Sequence, residues 1–387
     1  MINVKFLTHT GAPERLIVEA KRKLLEAFPD LQFQFFSTDP DMLVFLTGGS
    51  EMEVTQMAKP GRFYILAASE GKNAYAAATE VKAWMNQNKI NSVLIDLNNE
   101  ADRKRAANYA SMAQKLATLR GQTLGLIGKI SEWLIASNTT PEVLAGVLGI
   151  TLKQFSWQQL SDHRTAEPDR GFIKKFHTGS AHAVEDAARV HTMLLELVQR
   201  EKLDAITVGC FDLVRKHEVT ACLSLAHLSD QGIAAGCEGD TCSAAAMMFA
   251  KAICGIIPWM ANLTMVTHNR LRLAHCTAPT MLLSEFEVDT HYETGLGTAI
   301  AGKYAEEEVT IFRFDKDLRR VFITEGKVTS TLKRLHACRT QIEVKINEEN
   351  ALLLREKPLG NHHLVLPGKH AALLADACAL CGIQLVS

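Results

Sequence analysis

Short apolar runs alternate with longer amphipathic stretches over the first hundred residues. Strand-like runs occur at residues 4–8, 31–36, 42–46, 63–68 and 92–97, with helical periodicity at 14–27 and 74–86. Such alternation predicts a parallel sheet covered by helices. Thr47-Gly48-Gly49-Ser50 and Lys59-Pro60-Gly61 read as loops, and residues 100–119 as a long polar-faced helix leading out of this region. The pattern restarts at the glycine-flanked run 123–128. A helix at 141–148 follows, with Thr140 as its N-cap, then the longest helical pattern at 181–201 and a strand at 205–208. From about residue 264 the texture changes. Residues 309–314, 320–324 and 341–346 alternate apolar and polar side chains, and turns such as Glu325-Gly326 separate such runs. That predicts antiparallel strands in a barrel or sandwich. A helix at 371–380 and a strand at 383–386 complete the pattern.

Composition narrows the functional classes. The chain has 387 residues, 42 Lys+Arg against 43 Asp+Glu, and a formal net charge of −1. A hydrophobic fraction of 47% excludes a disordered or collagen-like chain. No apolar run approaches the ~20 residues of a membrane-spanning helix, so no membrane partner is expected. The first nine residues read as a strand and lack the layout of a signal peptide. Near-zero charge without a basic tract gives no support for nucleic-acid binding. All nine cysteines fall between Cys210 and Cys381, an odd number without disulfide-scaffold spacing. Free thiols in a cytoplasmic protein are the expectation.

Residues with chemical potential concentrate after position 209. Asp212, Glu218, Glu238 and Asp240 lie within 29 residues of one another, beside strand-like and glycine-containing turns where open α/β sheets present their sites. A Glu238-Gly-Asp240 turn before the apolar helix expected at 242–256 can place one carboxylate as an N-cap and the other in a cleft. The plainer reading has Asp240 only capping and Glu238 facing water. In Gly360-Asn-His-His363, adjacent histidines on a strand point to opposite faces, so at most one readily enters a given site. His275-Cys276 is a further candidate, although neighbouring strand side chains diverge. Cys378-Ala-Leu-Cys381 has the C-x-x-C spacing, but it lies in an apolar helix without a partner pair, which favours core packing over zinc.

Several phrases together resemble the L-fucose isomerase-like family of sugar isomerases. They are Ala67-Ala-Ser-Glu-Gly-Lys-Asn73, Ile127-Gly-Lys-Ile-Ser-Glu-Trp-Leu-Ile-Ala-Ser137, Cys210-Phe-Asp-Leu213 and Leu228-Ser-Asp-Gln-Gly232. Cys237-Glu-Gly-Asp240, His275-Cys276, Thr290-His-Tyr-Glu-Thr-Gly295 and Gly360-Asn-His-His363 continue the series. The resemblance implies an α/β fold with two Rossmann-like parallel-sheet domains, at residues 1–117 and 118–235, and a β-rich, barrel-like C-terminal domain at 236–387. It also implies interconversion of an aldose and a ketose through an enediolate, with Mn2+ or another divalent cation such as Mg2+.

In that family two carboxylates and one histidine hold the metal. By motif, one carboxylate falls on Asp240 and the histidine on His362. The other carboxylate aligns near Cys222, where no acid stands. Asp212 and Glu218 are the nearest acidic residues, and Asp212 is preferred because it ends a predicted strand. The resemblance thus gives Asp212, Asp240 and His362 as ligands, with the two aspartates moving protons. Glu238 stands behind them, and His275 or His291 contacts sugar hydroxyls. It further implies a small-molecule sugar substrate and a homo-oligomer, with the loop at 70–73 contributed in trans. The missing acid leaves two alternatives open, a metal-free sugar-binding or regulatory homologue and a sugar epimerase on the same scaffold.

Overall fold

The computed structural model describes residues 2–59, 62–177, 184–333 and 336–386. Pro60 and Gly61 of the expected loop, and 181–183 of the expected helix, lie outside the described residues. The chain divides into two units, Met1–Ala117 with Asp376–Ile383, and Thr118–Ala375 with Gln384–Ser387.

In the first unit, the apolar runs become β1 (Ile2–Leu7), β2 (Phe33–Phe35), β3 (Met42–Phe45), β4 (Phe63–Ala68) and β5 (Asn91–Asp96). They pair in parallel in the order β2-β1-β3-β4-β5, one of the common doubly wound orders. The crossovers are α1 (Arg15–Ala27), α2 (Glu51–Met57) and α3 (Ala74–Gln87), and α4 (Glu100–Ala117) follows β5. Ala77, Ala78, Val81 and Met85 recur on one face of α3 and pack with Leu43, Phe45 and Leu66 of the sheet. This is the burial that a helical period of 3.6 residues predicts.

The second unit begins with β6 (Thr123–Ile127), α5 (Pro141–Leu148) and β7 (Thr151–Phe155). Thr140 caps α5 by accepting a hydrogen bond from the Val143 N–H. Next come α6 (Arg170–Phe176), α7 (Val184–Glu201), β8 (Ala205–Val208), α8 (Phe211–His217), α9 (Cys222–Asp230), β9 (Ala234–Cys237) and α10 (Thr241–Cys254). The four strands form a second parallel sheet, in the order β7-β6-β8-β9. The inner strand β8 and its neighbour β9 are fully buried, the edge strand β7 is mostly exposed, and α10 is buried along nearly its whole length.

Beyond α10 the strands are β10 (Trp259–Thr267), β11 (Arg270–His275), β12 (Leu283–Asp289), β13 (Ala299–Tyr304), β14 (Glu308–Phe314), β15 (Arg320–Thr331) and β16 (Thr340–Lys345). The rest are α11 (Glu348–Glu356), β17 (His362–Pro367), α12 (Ala371–Leu380) and β18 (Gln384–Leu385). The order β14-β17-β10-β11-β16-β15 closes on itself through β14–β15 pairing, so these antiparallel strands form a barrel. β12 and β13 pair separately as a two-stranded sheet. Closure pairs the backbone groups that open edges would expose. The fold class is as expected, two parallel α/β sheets followed by a β-rich part, and of the barrel or sandwich that the alternation left open the strands form the barrel. No helix among the described residues is long and apolar enough to cross a membrane.

Candidate metal centre

The acidic end of the site is a turn at the carboxyl end of a parallel strand, where open α/β sheets present ligands. Glu238 directly follows β9 and adopts a left-handed φ of +59°, and Gly239 follows at +69°. A Cβ on Gly239 would stand 2.7 Å from the Lys129 carbonyl oxygen and 2.8 Å from Ile130 Cα, so only glycine lets the two chain segments meet. The Ser131 N–H donates to the Glu238 carbonyl at 2.9 Å, tying the turn to the segment after β6. The helix begins at once. Asp240 is the N-cap of α10, its Oδ1 accepting from the Ser243 N–H at 2.7 Å and its Oδ2 from the Ser243 hydroxyl at 2.8 Å.

The imidazoles come from the barrel. His275 ends β11 and His362 begins β17, the two strands that flank β10. Asn262 of β10 lies opposite Ala274 on one side and opposite His362 on the other, which brings the histidines to one level. Their ring centroids are 5.6 Å apart. His362 Nε2 lies 3.6 Å from Glu238 Oε1, and His275 Nε2 lies 4.0 Å from the same oxygen. Glu238, His275 and His362 each offer a donor atom within 4.8 Å of the others.

Surrounding groups fix each donor. The His275 Nδ1 pairs with the Thr277 hydroxyl at 2.9 Å, and the His362 Nδ1 with Asp240 Oδ2 at 2.8 Å, so both Nε2 atoms turn toward Glu238. The Trp133 indole donates to Glu238 Oε2 at 2.5 Å. Buried Arg313 donates to the His362 carbonyl at 2.5 Å and to the Ser137 hydroxyl at 2.7 Å, and its guanidinium lies 3.9 Å from Asp240 Oδ2.

The electrostatics follow from this packing. Burial pushes the His275 imidazolium down to about 3, reinforced by the charge of His362, so His275 is neutral and able to ligate. Burial disfavours charge on His362 too, but its contacts with Asp240 and Glu238 outweigh that and raise it to about 9. Burial works to raise Glu238 and Asp240. Nearby His362 in both cases, with Arg313 beside Asp240, holds the two carboxyls below their usual range.

The cluster fits a metal ion on one observation above the others. His362 Nε2 is fully buried and has no hydrogen-bond partner among the described residues, although it faces the other two donors. A buried polar atom left unpaired is costly, and a cation at this point would satisfy it. Two imidazoles and one carboxylate form a set richer in nitrogen than two carboxylates and one histidine. Such a set suits manganese, iron, cobalt or zinc better than magnesium. The cluster opens on a cavity of about 440 Å3, lined by Glu238, Trp133, Asn262, Arg272, Tyr292, Glu293, Gln341 and Asn361 among others.

The structure gathers only some of the residues singled out in the sequence. Glu238, His275 and His362 converge, and Asp240 is hydrogen-bonded directly behind His362. His291 is also buried, its Nδ1 on the Thr294 hydroxyl at 3.1 Å, close enough to Glu238 and His275 for their charges to act on one another. Asp212 stands elsewhere. The strand expected to end at Asp212 stops at Val208, and Asp212 falls in the first turn of α8, lining a separate cavity of about 190 Å3 beside His163 and His217. Glu218 is the C-cap of α8 in a left-handed conformation. Cys222 starts α9 and packs against Cys276 and Ala299. His363 turns away from the cluster, its Nδ1 on the Asn361 carbonyl at 2.8 Å.

Trp133, Thr277 and Arg313 escaped the sequence reading. Trp133 lies inside one of the motif phrases. Arg313 carries its own signal, a cation within the apolar run Ile311-Phe312-Arg313-Phe314.

Fold and site together define an α/β protein with a β-barrel and a buried Glu/His/His cluster able to hold a metal ion. No family model matches the chain. It is similar to a sulfoquinovose isomerase from Alkalicoccus urumqiensis, with 20% identity over 264 residues. The match covers 63% of this chain and 60% of that protein, so the chain spans less than two thirds of the relative's length.

Proposed function

We propose that the chain is a metal-dependent aldose–ketose isomerase acting on a small sugar. The observation that carries this reading is the buried His362 Nε2, unpaired among the described residues, facing His275 and Glu238, with Glu238 itself in the wall of the cavity. The cavity falls within the roughly 300–1,000 Å3 typical of small-molecule sites. Its polar wall suits a polyol. The Asn361 side chain donates to the Asn262 amide oxygen at 2.5 Å, and Gln341 and Tyr292 stand beside them. The distant relative is itself a sugar isomerase, and its name makes sulfoquinovose the first sugar to try.

Glu238, His275 and His362 would hold the cation, with Mn2+ the preferred ion. A divalent ion there would supply Lewis-acid polarisation of the substrate's carbonyl and neighbouring hydroxyl oxygens. The protein's own task is orientation. Asp240 and Thr277 hold the two imidazoles by their Nδ1 atoms, and Trp133 holds the carboxylate. The resemblance to enzymes of this class also makes a homo-oligomer part of the proposal.

Differential scanning fluorimetry with Mn2+ against EDTA, followed by NMR of sulfoquinovose, L-fucose and L-arabinose incubated with the Mn2+-loaded chain, tests the reading. A ligand at 100 times its dissociation constant stabilises by about 2.7 kcal/mol, which gives a clear shift in Tm. Conversion of an aldose to its ketose, lost in His275→Ala and His362→Ala, is the expected result. Absence of Mn2+ binding, or epimers as the only products, would overturn it.

A further inference from the structure

Isomerisation needs a group that carries a proton between adjacent carbons, and the carboxylates of the cluster are already engaged. Glu238 has one oxygen on the Trp133 indole and the other facing both histidines. Asp240 is completely buried, with both oxygens on Ser243 and one also on His362. Neither has an oxygen left to approach a sugar carbon and leave again.

Glu293 differs on each count. It stands on the wall of the same cavity, open to it but with its carboxyl partly withdrawn from water, and makes no hydrogen bond or ion pair with any described residue. The loop that presents it is firmly built. The Gly295 N–H donates to the His291 carbonyl at 2.8 Å, the His291 N–H to the Leu296 carbonyl at 3.1 Å, and the Arg339 guanidinium to the Thr290 carbonyl at 2.7 Å. Buried His291, two residues before Glu293, anchors the loop next to the cluster and leaves Glu293 at its tip.

We propose that Glu293 is the catalytic acid–base residue that relays the proton between C2 and C1 of the sugar, an assignment that rests on the isomerase reading of the site. The Glu293 carboxylate takes the proton from C2 of the open-chain aldose. The C2–H electron pair becomes the C1=C2 bond, and the carbonyl pair settles on O1. The O2 hydroxyl proton passes to O1 as an O2 lone pair forms the C2 carbonyl, and the C1=C2 pair takes the proton back from Glu293 at C1. Every atom is retained, and no oxidant enters. Partial burial, with the charge of Glu238 nearby, raises the Glu293 carboxyl above the usual carboxylate range, which suits a group that must both accept and release a proton.

The test compares the full-length chain with Glu293→Gln and Glu293→Asp, each loaded with Mn2+, on the same three sugars. Expected for E293Q is a fall in kcat of at least about 100-fold. KM and Mn2+ binding by calorimetric titration should be unchanged, and deuterium incorporation at C1 in D2O should be lost. E293D should recover part of the rate. E293Q with kcat within about tenfold of wild type overturns the assignment, as does loss of Mn2+ binding in that variant, which would make Glu293 a group serving the metal. A wild-type chain that binds Mn2+ yet converts none of the three sugars overturns the isomerase reading and the role of Glu293 together.

Discussion

His362 and Asp240 meet across 2.8 Å, joining the first residue of a barrel strand to the N-cap of the helix that follows the second parallel sheet. Asp240 thus caps the start of a helix with Oδ1 and aims an imidazole with Oδ2. A cap and a site residue are usually weighed as rivals when a sequence is read. Here the two roles occupy one carboxylate.

Asp240→Asn keeps the cap and the side-chain shape but removes the charge behind His362. Mn2+ affinity should fall by about 10–100-fold, the usual cost of losing a group that orients a metal-binding histidine. The fold should persist, because asparagine caps helices as well as aspartate. Calorimetric titration beside far-UV circular dichroism checks both expectations.

Gly239→Ala and Gly232→Ala make a matched pair. Both positions have positive φ, +69° and +86°, but no described residue lies within 4 Å of a Cβ at 232, whereas a Cβ at 239 meets Lys129 and Ile130. G232A should cost about 1 kcal/mol from backbone strain alone, and G239A clearly more. Urea midpoints of the two variants measure the difference, and G239A should also weaken Mn2+ binding because it shifts Glu238.

Arg313 holds the His362 carbonyl and the Ser137 hydroxyl from a completely buried position. Arg313→Met leaves both acceptors without their donor and removes a cation from beside Asp240. A loss of at least about 2 kcal/mol in denaturant unfolding is expected, because hydrogen bonds to charged groups are worth about 1.5–3 kcal/mol.

Stability should also depend on pH through His191. Its ring is buried in α7, stacked on Phe172 at 4.9 Å, with Nδ1 3.1 Å from the Ser224 hydroxyl. Burial, aided by His227, pushes it down to about 4, against about 6.5 in an unfolded chain. Between these values the unfolded chain takes up a proton that the folded one does not. This contribution is therefore complete above about pH 6.5 and is lost as pH falls toward 4. Urea unfolding between pH 7 and 4.5 should show the fall. His191→Gln should reduce the slope by about one proton, or up to about 1.4 kcal/mol per pH unit.

Legibility in the sequence followed the periodicity of burial. Residues 63–68 read as a strand because both faces are covered, and β4 has those bounds. The alternation of residue types at 309–314 also marks β14 of the barrel, although all six of those residues are buried. Asp212 shows where this reasoning fails. Gly209-Cys-Phe-Asp-Leu213 reads as strand continuing to a carboxylate, but Leu213 and Val214 are adjacent and both buried, a helical pattern too short to register by period. The residues that converge were individually visible as a Glu-Gly-Asp turn, a His-Cys pair and a His-His pair. Which carboxylate faces the histidines was not. That depends on the left-handed backbone at 238, which places Glu238 in the cavity and Asp240 behind it. A non-glycine residue in that conformation leaves no trace in hydropathy.

The closed barrel has a consequence for how this site can vary. In a closed ring of strands the level of each strand is fixed by all the others, so one imidazole cannot be moved up or down without re-registering the whole barrel. Glu238 sits in a turn outside that ring, where one substitution changes what is offered to the cavity. The histidine pair is accordingly the rigid frame of the cluster and the acid its adjustable element. A substitution in the turn after β9 should therefore change the donor set of the cluster while leaving both imidazoles in place.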